Sequence, residues 1–218
     1  MPAAGWSWAL RCITDPRAGG RALLLARHGR TAWTGEGRYQ GRSDLPLSPE
    51  GWADAAGLAA ALSDEPLVSI YTSPLLRARQ TAGCIAARRG DVAVIVDDRL
   101  AEIAFGDWEG RTQAEIRAAT PEALRRWKRD PGGMRFPGGE TLAEARARLH
   151  GFFADLPQRG GAVLAVTHAG MIRLACLCAE GRGDDGFRGI RIAPGAVRRF
   201  SLGGAAVVAP PFQHETVE

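Results

Sequence analysis

Two short apolar runs, each ending at a histidine, constrain this chain more than any other feature of its sequence. Residues 21–26 lead through an arginine into His28, and residues 162–167 end at His168. Runs of this length and composition are typical of buried central strands. Ligands of open α/β sheets bind beyond the carboxyl ends of the strands, so the two histidines are predicted to approach each other if their strands are neighbours. One such histidine is more often structural, whereas two with equivalent placement favour a functional site.

Strand and helix patterns alternate along the chain. This alternation predicts an α/β fold of three layers, in which a mixed, mostly parallel sheet is flanked by helices on both faces. Ser48, Pro49 and Glu50 are typical of a helix start, and Ser73-Pro74 is predicted to cap the next helix. The predicted strands are 21–26, 67–72, 91–96, 162–167, 197–202 and 205–208, and the predicted helices are 48–62, 73–89, 112–130 (split before Pro121), 141–156 and 171–180.

The same patterns predict one domain. Residues 1–20 are interpreted as an N-terminal extension with a flexible, Gly-rich end, and residues 210–218 as a loose tail. Residues 21–209 form the predicted domain, in which residues 112–139 make a small helical cap over one edge of the sheet.

Composition limits the class of protein. The chain has 218 residues, of which 45% are hydrophobic and 24% charged, as is usual for soluble globular proteins. Its apolar runs are of strand length, and residues 1–10 make a poor signal peptide, so we expect a cytoplasmic protein without a membrane partner. The four cysteines (Cys12, Cys84, Cys176 and Cys178) have no metal-site spacing, which predicts reduced thiols and no metal.

The formal net charge of +4 does not by itself indicate a nucleic-acid partner. The 28 basic residues include a single lysine and are spread along the chain rather than clustered. We therefore expect no nucleic-acid binding, and note that a positive field also steers small anions to an enzyme. The oligomeric state is open, with a homodimer among the alternatives.

The residues around the histidines indicate phosphate chemistry. Arg27 stands beside His28, and Arg77 lies near the start of a predicted helix. Guanidinium groups are forked, permanent donors to phosphate oxygens, and helix N-termini also attract phosphate. An imidazole can attack phosphorus and form a phosphohistidine, which divides one difficult step into two.

A leaving alkoxide also requires a proton donor. Glu102 lies among apolar residues such as Ile103 and Phe105, surroundings that suit a carboxylic acid which keeps its proton. Asp107 and Glu109 are rival candidates. From spacing alone, an exposed loop acid describes Glu102 equally well.

An ordered set of motifs extends these observations over residues 21–200. The chain resembles the histidine phosphatase superfamily, in the branch that includes phosphoglycerate mutases. The motifs that carry the resemblance are Arg27-His28-Gly29 with Thr31, Trp33, Arg38 and Gln40-Gly41; Asp44 with Pro46-Leu47-Ser48 and Gly51; Thr72-Ser73-Pro74 with Arg77-Ala78 and Thr81-Ala82; Glu102; Gly138-Gly139-Glu140-Thr141; and residues 166–173, which contain His168-Ala169-Gly170.

The resemblance implies a role for each matching residue. His28 would be the nucleophile that becomes phosphorylated, and Glu102 the proton donor that then activates water. The phosphate oxygens would be held by Arg27, Arg77 and His168, with the backbone of Ala169 and Gly170 close by. Thr34, Gln40 and Gly41 stand where the family contacts phosphate or substrate. The resemblance implies neither a metal nor another cofactor.

Three positions depart from the family pattern. Arg30 stands where Glu or Gln is usual, Thr34 replaces Asn, and Ala169-Gly170 replaces Gly-Gly. Thr34 keeps a hydroxyl donor, so activity is expected to survive. Arg30 either adds positive charge near the phosphate or points to solvent, and the sequence does not separate these alternatives.

The sequence favours a phosphomonoesterase that acts on a small phosphorylated metabolite. The stretch between Glu102 and the Gly-Gly-Glu motif is compact, and residues 105–110 resemble those of α-ribazole phosphatases more than those of mutases. A cofactor-dependent phosphoglycerate mutase is the first alternative, for which the basic residues at 125–129 could serve a second anionic group. A non-catalytic relative that binds phosphorylated ligands is the second.

Overall fold

The computed structural model describes residues 10–12, 21–90, 92–157 and 161–202. These residues contain a six-stranded sheet with the strand order β1-β6-β2-β5-β3-β4. The four strands β2, β5, β3 and β4 run parallel, and β6 is antiparallel to both of its neighbours. The predicted mixed, mostly parallel sheet is therefore confirmed. The strands are β1 Leu10–Cys12, β2 Ala22–Arg27, β3 Leu67–Thr72, β4 Val94–Val96, β5 Ala162–Thr167 and β6 Val197–Leu202.

Helices cover both faces of this sheet. They are α1 Ala32–Glu36, α2 Pro49–Ala61, α3 Leu76–Arg89, α4 Gln113–Ala119, α5 Pro121–Arg129, α6 Leu142–Ala154 and α7 Ala169–Ala179. Side chains of a strand alternate between the two faces, and β2 shows the consequence. Leu24 belongs to a buried cluster that includes residues of α2 and α3, whereas Leu23 and Leu25 belong to a second cluster that includes residues of α4, α5, α6 and α7. Both faces of β2 are thus buried, which is why its sequence is continuously apolar.

The strand register places the two histidines together. β2 pairs in parallel with β5, and Arg27 lies opposite Thr167 in the last pair of the register. His28 and His168 therefore leave neighbouring strands at the same level. The sequence prediction that both would reach one edge of the sheet is confirmed by this register.

Side-chain caps explain several helix boundaries. Thr112 and Thr141 each form a capping box with the glutamate three residues later, and Ser48 caps α2 with Pro49 at its first position. Pro121 begins α5, which confirms the predicted break in the 112–130 region.

Several details differ from the sequence predictions, among them the strand predicted at 91–96, which begins only at Val94. Ser73 does not cap α3, which begins at Leu76, where the backbone N–H donates to Asp44 Oδ1 at 2.6 Å. Helix α7 begins two residues earlier than predicted, directly after His168. The short helix α1 and the edge strand β1 were not predicted, because five- and three-residue elements show too little periodicity in a sequence. β1 lies within the predicted extension and pairs with β6.

Other predictions fall outside the described residues. These are the strand at 205–208 and the tail at 210–218. The division into extension, domain and tail stays a prediction. Among the described residues, no helix combines the length and apolar character needed to cross a membrane.

Candidate active site

His28 is a buried, neutral nucleophile candidate at the end of β2. Its Nδ1 lies 2.6 Å from the carbonyl oxygen of Gly29. A carbonyl can only accept, so Nδ1 carries the proton and the lone pair lies on Nε2. Arg77 Nε donates to Nε2 at 3.3 Å. Burial and the nearby guanidinium groups of Arg77 and Arg27 hold the pKa of His28 well below its ordinary value, which keeps Nε2 unprotonated at neutral pH.

His168 faces His28 with its ring, and the two ring centroids are 5.0 Å apart. Its Nε2 lies 2.7 Å from Ser73 Oγ, which itself accepts a hydrogen bond from the backbone N–H of Leu75. The Ser73 hydroxyl donates its hydrogen bond to His168 Nε2. Because Nε2 then acts as the acceptor, the proton of the neutral His168 ring lies on Nδ1. His168 Nδ1 is buried and has no partner in the described part of the chain, so it can donate to a ligand.

Two arginines supply fixed positive charge around His28. Arg77 donates to the carbonyl oxygens of Ser43 and Gly41 at 2.6 and 2.7 Å, and Arg27 donates to the carbonyl of Ile192 at 2.6 Å. Burial lowers the pKa of Arg77 to about 10, so its guanidinium stays charged at neutral pH. Burial also lowers the pKa of Arg27. Both side chains are oriented by backbone carbonyls before any ligand binds.

Glu102 is held at the start of α7. Its side chain is only 7% exposed, and it accepts hydrogen bonds from the backbone N–H groups of Ile103 and Gly170 at 2.9 and 3.2 Å. A Cβ atom on Gly170 would lie 2.4 Å from Glu102 Oε1, so only glycine permits this approach. The structure thus decides against an exposed loop acid.

The rival acids lie elsewhere. Glu109 accepts hydrogen bonds from the backbone of Arg42, Ser43 and Phe105, which orders the loop that contacts Arg77. Asp107 is exposed. Neither residue lines the cavity around His28.

Helix α1 and the loop after it contribute polar groups. Thr34 exchanges capping hydrogen bonds with Thr31 and accepts one from Gln40 Nε2 at 3.0 Å, while Gln40 Oε1 is buried without a partner among the described residues. Gly41 has a φ of 51°, and its carbonyl accepts from Arg77. The hydroxyl group of Thr34, which stands where the family usually has the amide of Asn, therefore stabilises α1 and the Gln40 side chain.

These groups surround a cavity of about 380 Å³. Nine of the ten predicted site residues line it, and the tenth, His168, is fully buried against His28. The roles of these ten residues remain predictions. Sequence reasoning assigned no role to several further lining residues, namely Trp33, Gly37, Arg38, Tyr39, Phe105, Trp127, Phe187, Arg173 and Arg188. Trp33, Arg38 and Arg173 belong to motifs of the resemblance and could have been considered, whereas Trp127, Phe187 and Arg188 carry no sequence signal of their own.

Arg30 turns away from this cavity. Its guanidinium is half exposed and forms two hydrogen bonds with Asp54 of α2, at 2.8 and 2.9 Å. Of the two alternatives for Arg30, the structure supports the one in which it adds no donor to the phosphate site.

Comparison with known proteins identifies the family. The model of the histidine phosphatase superfamily (branch 1) matches residues 23–209. Phosphoserine phosphatase 1 of Hydrogenobacter thermophilus is 40% identical over 159 residues, which cover 72% of this chain and 74% of that protein. The crystal structure of the α-ribazole phosphatase from Shigella flexneri matches with a TM-score of 0.75 and 26% identity, over 87% of this chain and all of that one.

Not every relative is named as a phosphatase. A 2,3-bisphosphoglycerate-dependent phosphoglycerate mutase 2 of Gloeobacter violaceus is 35% identical over 158 residues, which cover 69% of this chain and 72% of that protein. The chain spans 44% of the length of three other relatives that it matches. The phosphatases confirm the predicted enzyme class, a histidine-type phosphatase. A family model that spans the sheet from its central strand onward, together with these relatives, shows that the chain is an enzyme of the histidine phosphatase superfamily.

Proposed function

We propose that this enzyme hydrolyses the phosphate monoester of a small metabolite through a phosphohistidine on His28. The observation that carries the proposal is the orientation of the His28 ring. Its proton is committed to the Gly29 carbonyl, so the Nε2 lone pair is directed toward Arg77 inside a cavity of metabolite size.

The first half-reaction transfers the phosphoryl group to the enzyme. His28 Nε2 forms a bond to phosphorus while the bond from phosphorus to the ester oxygen breaks, and Glu102 passes a proton to that oxygen. Arg27, Arg77 and the Nδ1–H of His168 offer donors for the phosphoryl oxygens. Donors that are already oriented require little reorganisation as charge develops in the transition state.

The second half-reaction returns the enzyme to its starting state. Glu102 takes a proton from water, the water oxygen attacks phosphorus, and the bond from phosphorus to His28 Nε2 breaks. Inorganic phosphate leaves, and the carboxyl group of Glu102 is again protonated for the next cycle. One carboxyl group near the leaving oxygen therefore serves both half-reactions, since the alcohol and the water occupy the same position in turn.

The basic residues of α5 give no support for a mutase. A mutase would place basic residues of this region around the second anionic group of its substrate. Here Arg125, Arg126 and Arg129 line a separate groove with Glu122, and only Trp127 of α5 reaches the cavity around His28. Phosphoserine and α-ribazole phosphate, after which relatives are named, are suitable first substrates to assay.

Rapid-quench experiments test the intermediate. The wild-type enzyme, mixed with a ³²P-labelled monoester, should accumulate an acid-labile phosphoenzyme that His28→Asn does not form. The variant should lose about a thousandfold or more in kcat. Undiminished activity in a folded His28→Asn variant would exclude the nucleophile role.

A second assay separates the alternatives. The enzyme is given 3-phosphoglycerate with a bisphosphoglycerate primer and, in parallel, phenyl phosphate. Phosphate release from phenyl phosphate without isomerisation of 3-phosphoglycerate is expected. Isomerisation with negligible hydrolysis would establish a mutase, and the absence of either reaction would indicate a non-catalytic relative.

A further inference from the structure

The cavity contains more positive charge than the phosphoryl group requires. Five arginines line it, and Glu102 is the one carboxylate among its described lining residues. Arg27 and Arg77 stand beside His28, and Arg38 is neutralised by Glu36 and Glu115 at 2.6 and 2.9 Å. The two arginines that remain, Arg173 on α7 and Arg188 in the 3₁₀ turn Asp184–Arg188, have no assigned role.

Arg173 is oriented in the way that anion-binding arginines are. Its Nε donates to the carbonyl of Ile190 at 2.8 Å, and its guanidinium lies over the ring of Phe187, 5.5 Å from the centroid. These two contacts fix the plane of the group. Its terminal amino groups donate to no residue in the part of the chain that the structure describes, and no described carboxylate forms an ion pair with it. A fork held in this way matches the two oxygens of a carboxylate.

The charge of Arg173 interacts with Glu102 and Arg27 near His28 and with Arg188 at the exposed part of the cavity. Burial lowers the pKa of Arg173, while the Glu102 carboxylate opposes this effect and Arg188 adds to it. Arg173 in turn lowers the pKa of Arg27, although burial is the larger cause there. The positive charge thus continues from His28 to Arg188, an exposed lining residue whose one hydrogen bond among the described residues is a long one, to the carbonyl of Lys128 at 3.4 Å.

We propose that the substrate carries a carboxylate in addition to its phosphate, and that Arg173 binds this carboxylate while Arg188 attracts it at the entrance. The inference rests on the proposed function, because it names a second part of the same substrate. A partly buried guanidinium without a counter-ion is costly, and a substrate carboxylate would supply that counter-ion. Phe105, Trp127 and Phe187 give the same part of the cavity an apolar wall for the carbon atoms that join the two anionic groups.

Matched substrate pairs test the proposal. 3-Phosphoglycerate and glycerol 3-phosphate differ only in a carboxylate against a hydroxymethyl group, and phosphoserine and phosphoethanolamine differ only in the carboxylate. The wild-type enzyme should prefer the carboxylated member of each pair by about 10- to 100-fold in kcat/KM, the range expected for hydrogen bonds to a charged group. Arg173→Gln should reduce this ratio to about threefold or less, mainly through KM for the carboxylated member.

Two further variants keep the test decisive. Arg188→Gln alters an exposed side chain, so folding is preserved, and it should lower the same ratio by a smaller factor. Arg117→Gln removes an exposed charge of α4 outside the cavity and should leave the ratio unchanged.

Phenyl phosphate, which has no carboxylate, tests the proposed function separately. If its hydrolysis depends on His28 while kcat/KM is equal within both substrate pairs, the carboxylate site is excluded and the phosphatase activity is retained. An unaltered preference in a folded Arg173→Gln variant would also overturn the carboxylate site.

Discussion

Two regions of the cavity hold their charged side chains in different ways. The floor, defined by Arg27, His28, Arg77, Glu102 and His168, is bound almost entirely to backbone groups, at Gly29, Gly41, Ser43, Ile103, Gly170 and Ile192. At the rim, defined by Arg38, Trp127, Phe187 and Arg188, Arg38 is held by the exposed carboxylates of Glu36 and Glu115 as well as by the Gly110 carbonyl, and Arg188 has only a long hydrogen bond among the described residues.

The difference separates chemistry from selectivity. These backbone partners lie at the end of β2, at the start of α7 and in loops outside residues 112–139, so we expect substitutions in that region to leave the floor in place. Ion pairs between exposed side chains contribute little and are readily replaced. We therefore expect the rate of the chemical step to depend on the residues of the floor. The preference among substrates should depend on the residues of the rim and on Arg173, which lies between the floor and the rim. Four predictions test this comparison.

The largest effect is expected from Glu102→Gln. The amide cannot deliver a proton, so an alkyl phosphate should lose about 10²- to 10⁴-fold in kcat, whereas a good leaving group such as p-nitrophenol should lose much less. Steady-state rates over a series of leaving groups measure this difference. An equal loss over the whole series would show that Glu102 is not the proton donor.

The second prediction concerns the backbone of the floor. A Cβ on Gly29 would lie 2.2 Å from the carbonyl oxygen of Gly51, so Gly29→Ala forces the His28 loop and α2 apart. We expect a loss of about 1–3 kcal/mol in the free energy of unfolding and about 100-fold in kcat if the ring moves by about 1 Å.

Gly35→Ala is the matched control. Gly35 lies in α1 next to Thr34, and nothing lies within 4 Å of its Cβ position, so this variant should fold with equal or greater stability. Denaturant unfolding and kcat are measured for both variants. Equal behaviour of the two would contradict a floor that is fixed by close backbone contact.

The third prediction is a pH dependence of stability. Burial, followed by Arg77, lowers the folded-state pKa values of His28 and His168. Below about pH 6.5 the unfolded chain binds protons that the folded chain does not, so the free energy of unfolding falls as the pH falls. Each histidine can contribute up to about 1.4 kcal/mol per pH unit in that range. Carboxylates add their own losses only at lower pH.

Urea unfolding at pH 7.5 and 5.5 measures this loss. His28→Gln should show a smaller difference between the two pH values than the wild type, because one buried neutral imidazole has been removed. His150, whose pKa is also lowered by burial, stays in both proteins and accounts for part of the remaining slope. An identical pH dependence would mean that His28 is not held neutral in the folded state.

The smallest effect is expected from Arg30→Gln. Arg30 is only two residues from His28 in the sequence, yet its guanidinium pairs with Asp54 and does not line the cavity. The change should alter kcat/KM by less than about twofold, as is usual for an exposed ion pair. A large rise in KM would show that Arg30 contributes to the phosphate site, which would contradict its assignment to the surface.

Much of the floor could be predicted because its signals are local. Two apolar runs that each end in histidine predict two buried strands, which the structure shows to be neighbours, and Arg27 and Arg77 belong to short motifs around them. Ser73 was misassigned as a cap because serine before proline is a common helix start, whereas its hydroxyl orients His168 across the sheet. The lining role of Trp127, Phe187 and Arg188 could not be read from the sequence, since it depends on how α5 packs against the distant 3₁₀ turn Asp184–Arg188.

Some sequence predictions are still to be tested by experiment. These are the cytoplasmic location, the absence of a nucleic-acid partner, the possibility of a homodimer and the division into extension, domain and tail. Among the described residues, no group of three or more His, Cys, Asp or Glu side chains is placed to hold a metal ion.

The sequence by itself determined the family, the type of fold and the residues of the floor, because strand periodicity and short motifs are properties of neighbouring residues. Only the tertiary structure decided that Glu102 is buried against Gly170, that Arg30 turns to Asp54 and that Arg173 lies in the cavity without an ion-pair partner among the described residues. The physical reason is that burial and charge pairing are set by residues far apart in the chain, which no local pattern records.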